Sequence, residues 1–228
     1  MSWKRRHRSF YTRDFPEPDE PELARGRVAL LVVDVQNAYV DRPHAGQCDD
    51  AVQAQLGAWE PFHARMRAVV LPNIVRLLGR FRGADLEVAF VRLGGRREDG
   101  RDRPRMRRLA GHPLLLADDP AAQVVAEIAP LPGEFVASKT GDSALAGTGL
   151  GLALRTLGIT DVVVAGVLTD QCISSTVRAL ADADFAVVLA EDACAAGTDA
   201  VHAAELATLN LLYCLVMTTD EVLSLLPR

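Results

Sequence analysis

Residues 28–33 of this chain are six apolar residues in succession, Val-Ala-Leu-Leu-Val-Val. A strand that is apolar at every position must be covered on both faces, which is typical of a parallel sheet packed between helices. Five further runs with strand character follow, at residues 86–91, 134–139, 162–165, 185–190 and 215–217. Segments with helical character separate them. The sequence therefore predicts an α/β fold with a doubly wound, mostly parallel six-stranded sheet, right-handed crossovers and helices on both faces.

Cys172 follows one of these strands in a position that favours reactivity. The strand stops at Gly166, the chain turns through a few residues, and the cysteine opens a segment of helical character. Unpaired N–H groups and the macrodipole at a helix N-terminus favour the thiolate, which is the nucleophilic form of cysteine. Free cysteines are also common as small buried hydrophobes, so Cys172 taken alone leaves both interpretations open.

Asp34 and Lys139 also stand at the ends of predicted strands. Asp34 comes directly after the run at 28–33, and Lys139 ends the run at 134–139. Ligands of open α/β sheets bind outside the carboxyl ends of the strands, so these two residues and Cys172 are expected to meet at one edge of the sheet. Either residue alone is more often an ordinary ion-pairing or solvated side chain. The three together favour a catalytic site.

The chain resembles the isochorismatase-like cysteine hydrolases in separate stretches that keep the family's order and spacing. The matching stretches are residues 30–37, Lys139 with Ser143, residues 166–172 with Thr176, and residues 187–194. The resemblance runs from about Arg27 to the C-terminus and is weakest between Arg42 and Pro132. It implies one hydrolase domain at residues 26–228 with a Rossmann-like three-layer arrangement. An N-terminal arm at residues 1–25, basic at its start, is expected to be flexible.

The resemblance also implies a mechanism, in which Cys172 attacks the carbonyl carbon of a small amide, ureide or lactam and forms a thioester. Asp34 would move the proton from the thiol to the departing nitrogen, and Lys139 would supply positive charge. Backbone N–H groups of Leu168 and Cys172 would form the oxyanion hole. A cis peptide bond is implied between Val167 and Leu168.

Further residues are weaker candidates for substrate binding. Gln36 and Tyr39 follow Asp34, and Thr169 and Gln171 flank the nucleophile. Each also has an ordinary structural interpretation, such as bonding a loop, packing or capping a turn. The arginines at positions 96, 97, 101, 103, 105, 107 and 108 either recognise an acidic substrate or belong to a solvated or subunit-contacting loop. His202, among apolar neighbours, is interpreted as structural.

Two departures from the family pattern concern the surroundings of the site. Leu145 replaces an aromatic residue that often follows the lysine motif, which changes one wall of the expected pocket. Asp184 stands where a glycine usually ends the nucleophile helix, and aspartate tolerates the left-handed conformation that such a position requires.

No metal or other cofactor is expected. The nicotinamidase branch of the family has an Asp-x-His pair and a second histidine, whereas this chain offers His44 and His63 without that pairing. Two alternatives to a cysteine amidohydrolase stay open: an isochorismatase-type vinyl-ether hydrolase and a non-catalytic binding or assembly protein. True isochorismate hydrolases lack the cysteine, so Cys172 argues against the first. The complete set of Asp34, Lys139 and Cys172 argues against the second.

Composition limits the partners. The net charge of −5 and the 5% aromatic content give no basis for nucleic-acid binding, and no apolar stretch is long enough to span a membrane. Four cysteines, at 48, 172, 194 and 214, are too sparse for a disulfide scaffold, which favours reduced thiols and a cytoplasmic protein. A small-molecule substrate is expected, and the family resemblance implies a homodimer or homotetramer.

Overall fold

A computed structural model describes residues 2–40 and 57–227 of the chain. Its centre is a six-stranded sheet in the order β3-β2-β1-β4-β5-β6, and every neighbouring pair is parallel. The strands are β1 (Val28–Val33), β2 (Glu87–Leu93), β3 (Phe135–Lys139), β4 (Asp161–Val167), β5 (Ala186–Ala195) and β6 (Leu215–Met217). The predicted doubly wound fold is confirmed. β1 and β4 are neighbours at the centre, where the strand order reverses, and this is the place where such sheets bind ligands.

Helices connect successive strands and cover both faces of the sheet. They are α1 (Asn37–Val40), α2 (Glu60–Arg65), α3 (Leu71–Gly83), α4 (Arg105–Leu109), α5 (Leu150–Thr156), α6 (Ser174–Asp182), α7 (Asp199–Leu209) and α8 (Thr219–Leu225). A π-helical turn, Met66–Val70, joins α2 to α3, and a second one, Thr169–Ile173, leads into α6.

Alternate residues of the central strands belong to two separate hydrophobic cores. In β1, Val28, Leu30 and Val32 pack in a core with α3 and α8, whereas residues 29, 31 and 33 pack in a core with α5, α6 and α7. All six residues of β1 are buried. The uninterrupted apolar run at 28–33 is therefore explained by burial of both faces of the strand.

The sequence also predicts a helix that opens at Asp119–Pro120, with the acid as N-cap and the proline in the first turn, and this prediction is wrong. The structure has only a 3₁₀ turn there, Pro120–Ala122, in which the Ala121 N–H donates to the Asp119 carboxylate at 2.7 Å. The chain then becomes extended, because Gln123 accepts a hydrogen bond from the backbone of Asn37 and Val124 forms a bridge with Gln36. Pairing with the segment that follows β1 thus replaces the next helical turn.

The N-terminal arm lies against the domain. Trp3 and Leu23 are buried in the hydrophobic core that contains α3 and α8. Arg6 forms ion pairs with Glu191 and Glu221, and its backbone carbonyl accepts a hydrogen bond from Asn210 at 2.9 Å. The arm that the sequence predicts to be flexible is thus attached to the domain at several points.

Within residues 2–40 and 57–227, none of the helices has the length and apolar character needed to cross a membrane.

Candidate active site

Asp34 is held at the carboxyl end of β1 in a conformation that few residues adopt. Its φ is 54°, and its backbone N–H donates to the carbonyl of Val91 at 2.9 Å. Aspartate is one of the few side chains that tolerate a positive φ. This turn directs the chain away from the sheet, and the carboxylate is buried at 2% exposure.

Cys172 lies in the π-helical turn that follows β4. The Val167–Leu168 peptide bond at the start of this turn is cis, as the resemblance implies. In the described part of the chain, the backbone N–H group of Leu168, which precedes this turn, donates to no backbone carbonyl. The Leu168 N–H is therefore available to a ligand next to the thiol, as a donor of an oxyanion hole must be.

Lys139 connects the other two residues. Its ammonium Nζ donates to Asp34 Oδ2 at 2.7 Å, to Cys172 Sγ at 3.1 Å and to the carbonyl of Gly141 at 3.0 Å. The loop after β3 is fixed beside the nucleophile helix because Ala144 N–H donates to Thr176 Oγ1 at 2.9 Å. The structure thus brings together the acid, the lysine and the thiol from the ends of three different strands.

Burial and mutual charge control the protonation of the three groups. Burial raises the pKa of Asp34 above its usual value, although the Lys139 ammonium opposes this. Burial, followed by the charge of Asp34, raises the pKa of the Cys172 thiol. Burial lowers the pKa of Lys139, but the charges of Asp34 and Cys172 outweigh it and raise the pKa above its ordinary value. The directions for the other two groups favour a lysine cation and a neutral thiol in the resting site.

A cavity of about 620 Å³ opens over this group and has the size of a small-molecule site. Asp34, Cys172, Val167 and Leu168 form the side with the candidate catalytic residues. The remaining lining residues are Ala38, Tyr39, Trp59, Leu93, Gly95, Arg103, Arg107, His112, Pro113, Leu114, Leu115, Thr140 and Gln171.

The four weaker candidates separate into two groups. Tyr39 and Gln171 line the cavity, and burial raises the pKa of Tyr39, so its phenol stays a neutral hydrogen-bonding group. Gln36 and Thr169 are fully buried and are not among the cavity-lining residues. Gln36 bonds the backbone of Leu93 through both ends of its amide and so joins the ends of β1 and β2.

Thr169 instead belongs to a hydrogen-bonded chain behind the nucleophile turn. Arg65 Nη2 donates to His202 Nε2 at 3.1 Å, so the other ring nitrogen carries the proton and donates to Thr169 Oγ1 at 2.8 Å. Burial and the nearby Arg65 lower the pKa of His202 to about 4, which keeps the ring neutral. The structural interpretation of His202 agrees with these contacts.

Asp142 is a site residue that the sequence analysis did not identify. Its carboxylate Oδ1 lies 3.5 Å from Cys172 Sγ and also accepts a hydrogen bond from Arg107. The signal in the sequence was its position three residues after Lys139 in a short polar turn. That position became informative once the fold placed the turn beside the thiol.

No group of three or more metal-binding side chains is close enough together to hold a metal ion in the described ranges. His44 and Cys48, considered in the sequence analysis, lie outside those ranges.

We expect iodoacetamide to label Cys172 before Cys194 and Cys214, because only Cys172 of these three lines the cavity and the other two are core residues. Since its thiol pKa is raised, labelling should accelerate throughout about pH 6–9 without a plateau. Asp34→Asn removes a charge that raises this pKa, so labelling at neutral pH should become at least about fivefold faster.

Peptide mapping by mass spectrometry measures these rates. Asp182→Asn is the matched control, because Asp182 is exposed at the far end of α6 and its substitution should leave the rate unchanged. Slower labelling in Asp34→Asn would show that the carboxylate activates the thiol in the resting state.

Comparisons of the sequence and of the structure with known proteins agree on one family. Residues 28–221 match the family model of the isochorismatase domain. The chain is 27% identical over 211 residues to ureidoacrylate amidohydrolase RutB from Variovorax paradoxus (strain S110), covering 90% of this chain and 83% of the relative. It is 30% identical over 167 residues to streptothricin hydrolase from Streptomyces noursei, covering 72% of this chain and 48% of the relative.

Solved structures include a cysteine hydrolase from Pseudomonas syringae pv. phaseolicola 1448A, which superimposes with a TM-score of 0.75 at 25% identity. The match covers 90% of this chain and 95% of that protein. The family model spans most of the chain, and the parallel six-stranded sheet and the cis peptide agree with the resemblance noted in the sequence. The chain therefore belongs to the isochorismatase family of hydrolases.

Proposed function

We propose that the protein is a cysteine amidohydrolase, which cleaves a C–N bond of a small amide, ureide or lactam through a thioester on Cys172. The observation that carries this proposal is the position of the Lys139 ammonium, which bonds Asp34 and Cys172 at once beneath the cavity. This arrangement combines a nucleophile, a base and a fixed positive charge, as acyl transfer to a thiol requires.

In the first half of the reaction, Asp34 accepts the thiol proton and Cys172 Sγ attacks the carbonyl carbon. The proton leaves sulfur for a carboxylate, so a thiolate anion replaces a carboxylate anion beside the same lysine cation. The buried site keeps its net charge during this transfer, and no uncompensated charge is created in a low-dielectric environment. Within the described residues, Asp34 Oδ1 has no hydrogen-bond donor, which leaves it available to accept this proton.

The tetrahedral oxyanion would then be stabilised by the backbone N–H groups of Leu168 and Cys172. As the C–N bond breaks, Asp34 returns the proton to the departing nitrogen, and ammonia or an amine leaves. A water molecule next loses a proton to Asp34 and attacks the thioester, which releases the carboxylic acid and restores the thiol.

The pKa directions determine the pH dependence of this cycle. Asp34 must be ionised to act as a base, and burial raises its pKa, so activity should fall on the acid side at a higher pH than an exposed aspartate would cause. Lys139 must be protonated, and its raised pKa preserves activity on the alkaline side.

The relatives support this choice of reaction. One is named an amidohydrolase acting on ureidoacrylate, and another is named for the hydrolysis of streptothricin. Vinyl-ether hydrolysis, the alternative reaction in this family, gives no role to a thiol that contacts a lysine at the cavity floor.

We expect wild-type protein to release ammonia or an amine from at least one member of a panel of small amides, ureides and lactams that includes ureidoacrylate. Rapid acid quenching during turnover should trap an acyl group on the peptide that contains Cys172, detected by its mass. Asp34→Asn should release product at least about a hundredfold more slowly, because it lacks the base.

Asp182→Asn serves again as the exposed control and should retain wild-type turnover. Hydrolysis of isochorismate together with no activity on the panel would favour the vinyl-ether reaction. Amide turnover without any acyl mass on Cys172, in samples quenched over a range of times, would favour direct attack by water.

A further inference from the structure

The cavity has a second wall, opposite in chemistry to the side with the candidate catalytic residues. Residues 96–108, after β2, contain seven arginines and three carboxylic acids, so this segment is strongly basic. Five of the arginines are exposed. Arg103 and Arg107 are half-buried and line the cavity, together with His112. Two arginines thus line the same cavity as Cys172.

The two arginines differ in how their charge is balanced. Arg107 forms an ion pair with Asp142, the carboxylate that lies beside Cys172. Arg103 forms no ion pair within residues 2–40 and 57–227. Its Nη1 donates to the backbone carbonyls of His112 and Pro113, both at 2.9 Å. These bonds fix the plane of the guanidinium without neutralising it.

The other cation of the site, Lys139, is already matched by Asp34 at 2.7 Å. Arg103 is therefore a fixed positive charge in the cavity wall that lacks a counter-charge in the described part of the protein. Its Nη2 donates to none of the described residues. A planar guanidinium with free N–H groups binds carboxylates well, and a partly desolvated site strengthens the interaction.

We propose that the substrate carries a carboxylate, which pairs with Arg103 while the scissile C–N bond lies at Cys172. This inference rests on the proposed amidohydrolase function and narrows its substrate class. The single unpaired charge of Arg103 balances one negative charge. A carboxylate is therefore a better match for this side of the cavity than a doubly charged phosphate ester. Arg103 is then a specificity-determining residue that acts mainly on substrate binding.

The test uses two pairs of compounds that differ in charge and little in shape. β-Ureidopropionate is compared with isopentylurea, and succinamate with isocaproamide, so that an isopropyl group replaces the carboxylate each time. Wild-type protein should hydrolyse at least one of the carboxylates with a kcat/KM roughly 10- to 100-fold above that of its neutral analogue. Arg103→Gln should remove this preference through KM, and Arg103→Lys should retain part of it.

Arg105→Gln is the matched control, since Arg105 is exposed on α4 and absent from the cavity lining. Equal loss of activity on charged and neutral compounds in Arg103→Gln would overturn the inference, because Arg103 would then only hold the loop. Equal kcat/KM values for both members of each pair in wild-type protein would overturn it as well.

Bound compounds should protect Cys172 from iodoacetamide, and this measures binding without turnover. It therefore tests the carboxylate site independently of the proposed hydrolysis. At about 10 mM, the carboxylates should slow labelling of wild-type Cys172 more than the neutral analogues do, even where neither is hydrolysed. Selective protection without turnover would count against the amidohydrolase function and retain the anion site. The anion site would be rejected if carboxylates and neutral analogues were hydrolysed equally well or protected Cys172 equally well. It would also be rejected if neither carboxylate protected Cys172.

Discussion

Cys172→Ala should lower kcat/KM by about 10⁴-fold or more on any compound that the wild-type protein hydrolyses. The substitution removes the attacking sulfur and leaves the Lys139–Asp34 ion pair in place. Water is a much weaker nucleophile than the sulfur it would replace. The remaining rate would therefore come from substrate binding and the oxyanion hole. Steady-state release of product measures the effect, and an unchanged melting temperature would show that the fold is retained.

Cys214→Ala is the matched control, because Cys214 is buried in the core near β6 and does not line the cavity. It should change kcat/KM less than about twofold while costing about 1 kcal/mol of stability through lost packing. If Cys172→Ala kept more than a tenth of the wild-type rate, the thioester mechanism would be wrong and Asp34 would have to activate water directly.

Gly166→Ala should reduce the free energy of unfolding by at least about 4 kcal/mol or prevent folding. Gly166 has a φ of 123°, and a Cβ atom built there would lie 2.0 Å from the carbonyl oxygen of Val33 in β1. Both strands are in the centre of the sheet, so neither can move away without breaking its pairing. Steric overlap and the unfavourable φ therefore add to each other. Urea unfolding followed by circular dichroism gives the free energy.

Gly79→Ala is the control: it is also a glycine-to-alanine substitution, but we expect it to raise the free energy of unfolding. Gly79 lies in α3, is exposed, and has no atom within 4 Å of the Cβ position. Alanine should stabilise the protein by about 0.5–1 kcal/mol, because it favours the helix. Equal stability of the Gly166→Ala protein and the wild type would mean that β1 and β4 are less closely packed than described.

The centre of the fold and of the candidate site could be predicted because both depend on strand ends. Runs that are apolar at every position mark strands covered on both faces, and parallel strands place the residues that follow them at one edge. This sufficed to bring Asp34, Lys139 and Cys172 together. Asp184 has a φ of 69°, the left-handed conformation for which the sequence indicated that aspartate is suitable.

Contacts that depend on long irregular segments could not be predicted in the same way. The pairing of Arg107 with Asp142 joins residues 35 apart through the path of a loop, and no periodicity encodes that path. The burial of Trp3 likewise depends on the path of the N-terminal arm before the chain enters β1. The composition of the arm, basic and then rich in proline, suggested a solvated extension, but a few apolar side chains determine its position.

The three candidate catalytic residues are held by strands at different positions in the sheet. Asp34 and Cys172 follow β1 and β4, which have strands on both sides, whereas Lys139 ends β3, which pairs with β2 alone. Fraying at that margin would withdraw the lysine while the thiol and the carboxylate stayed in place. The remaining pair, without its cation, would share a proton and lose reactivity. The integrity of the candidate site would thus depend on the local opening of one edge strand, which can occur while the core stays folded.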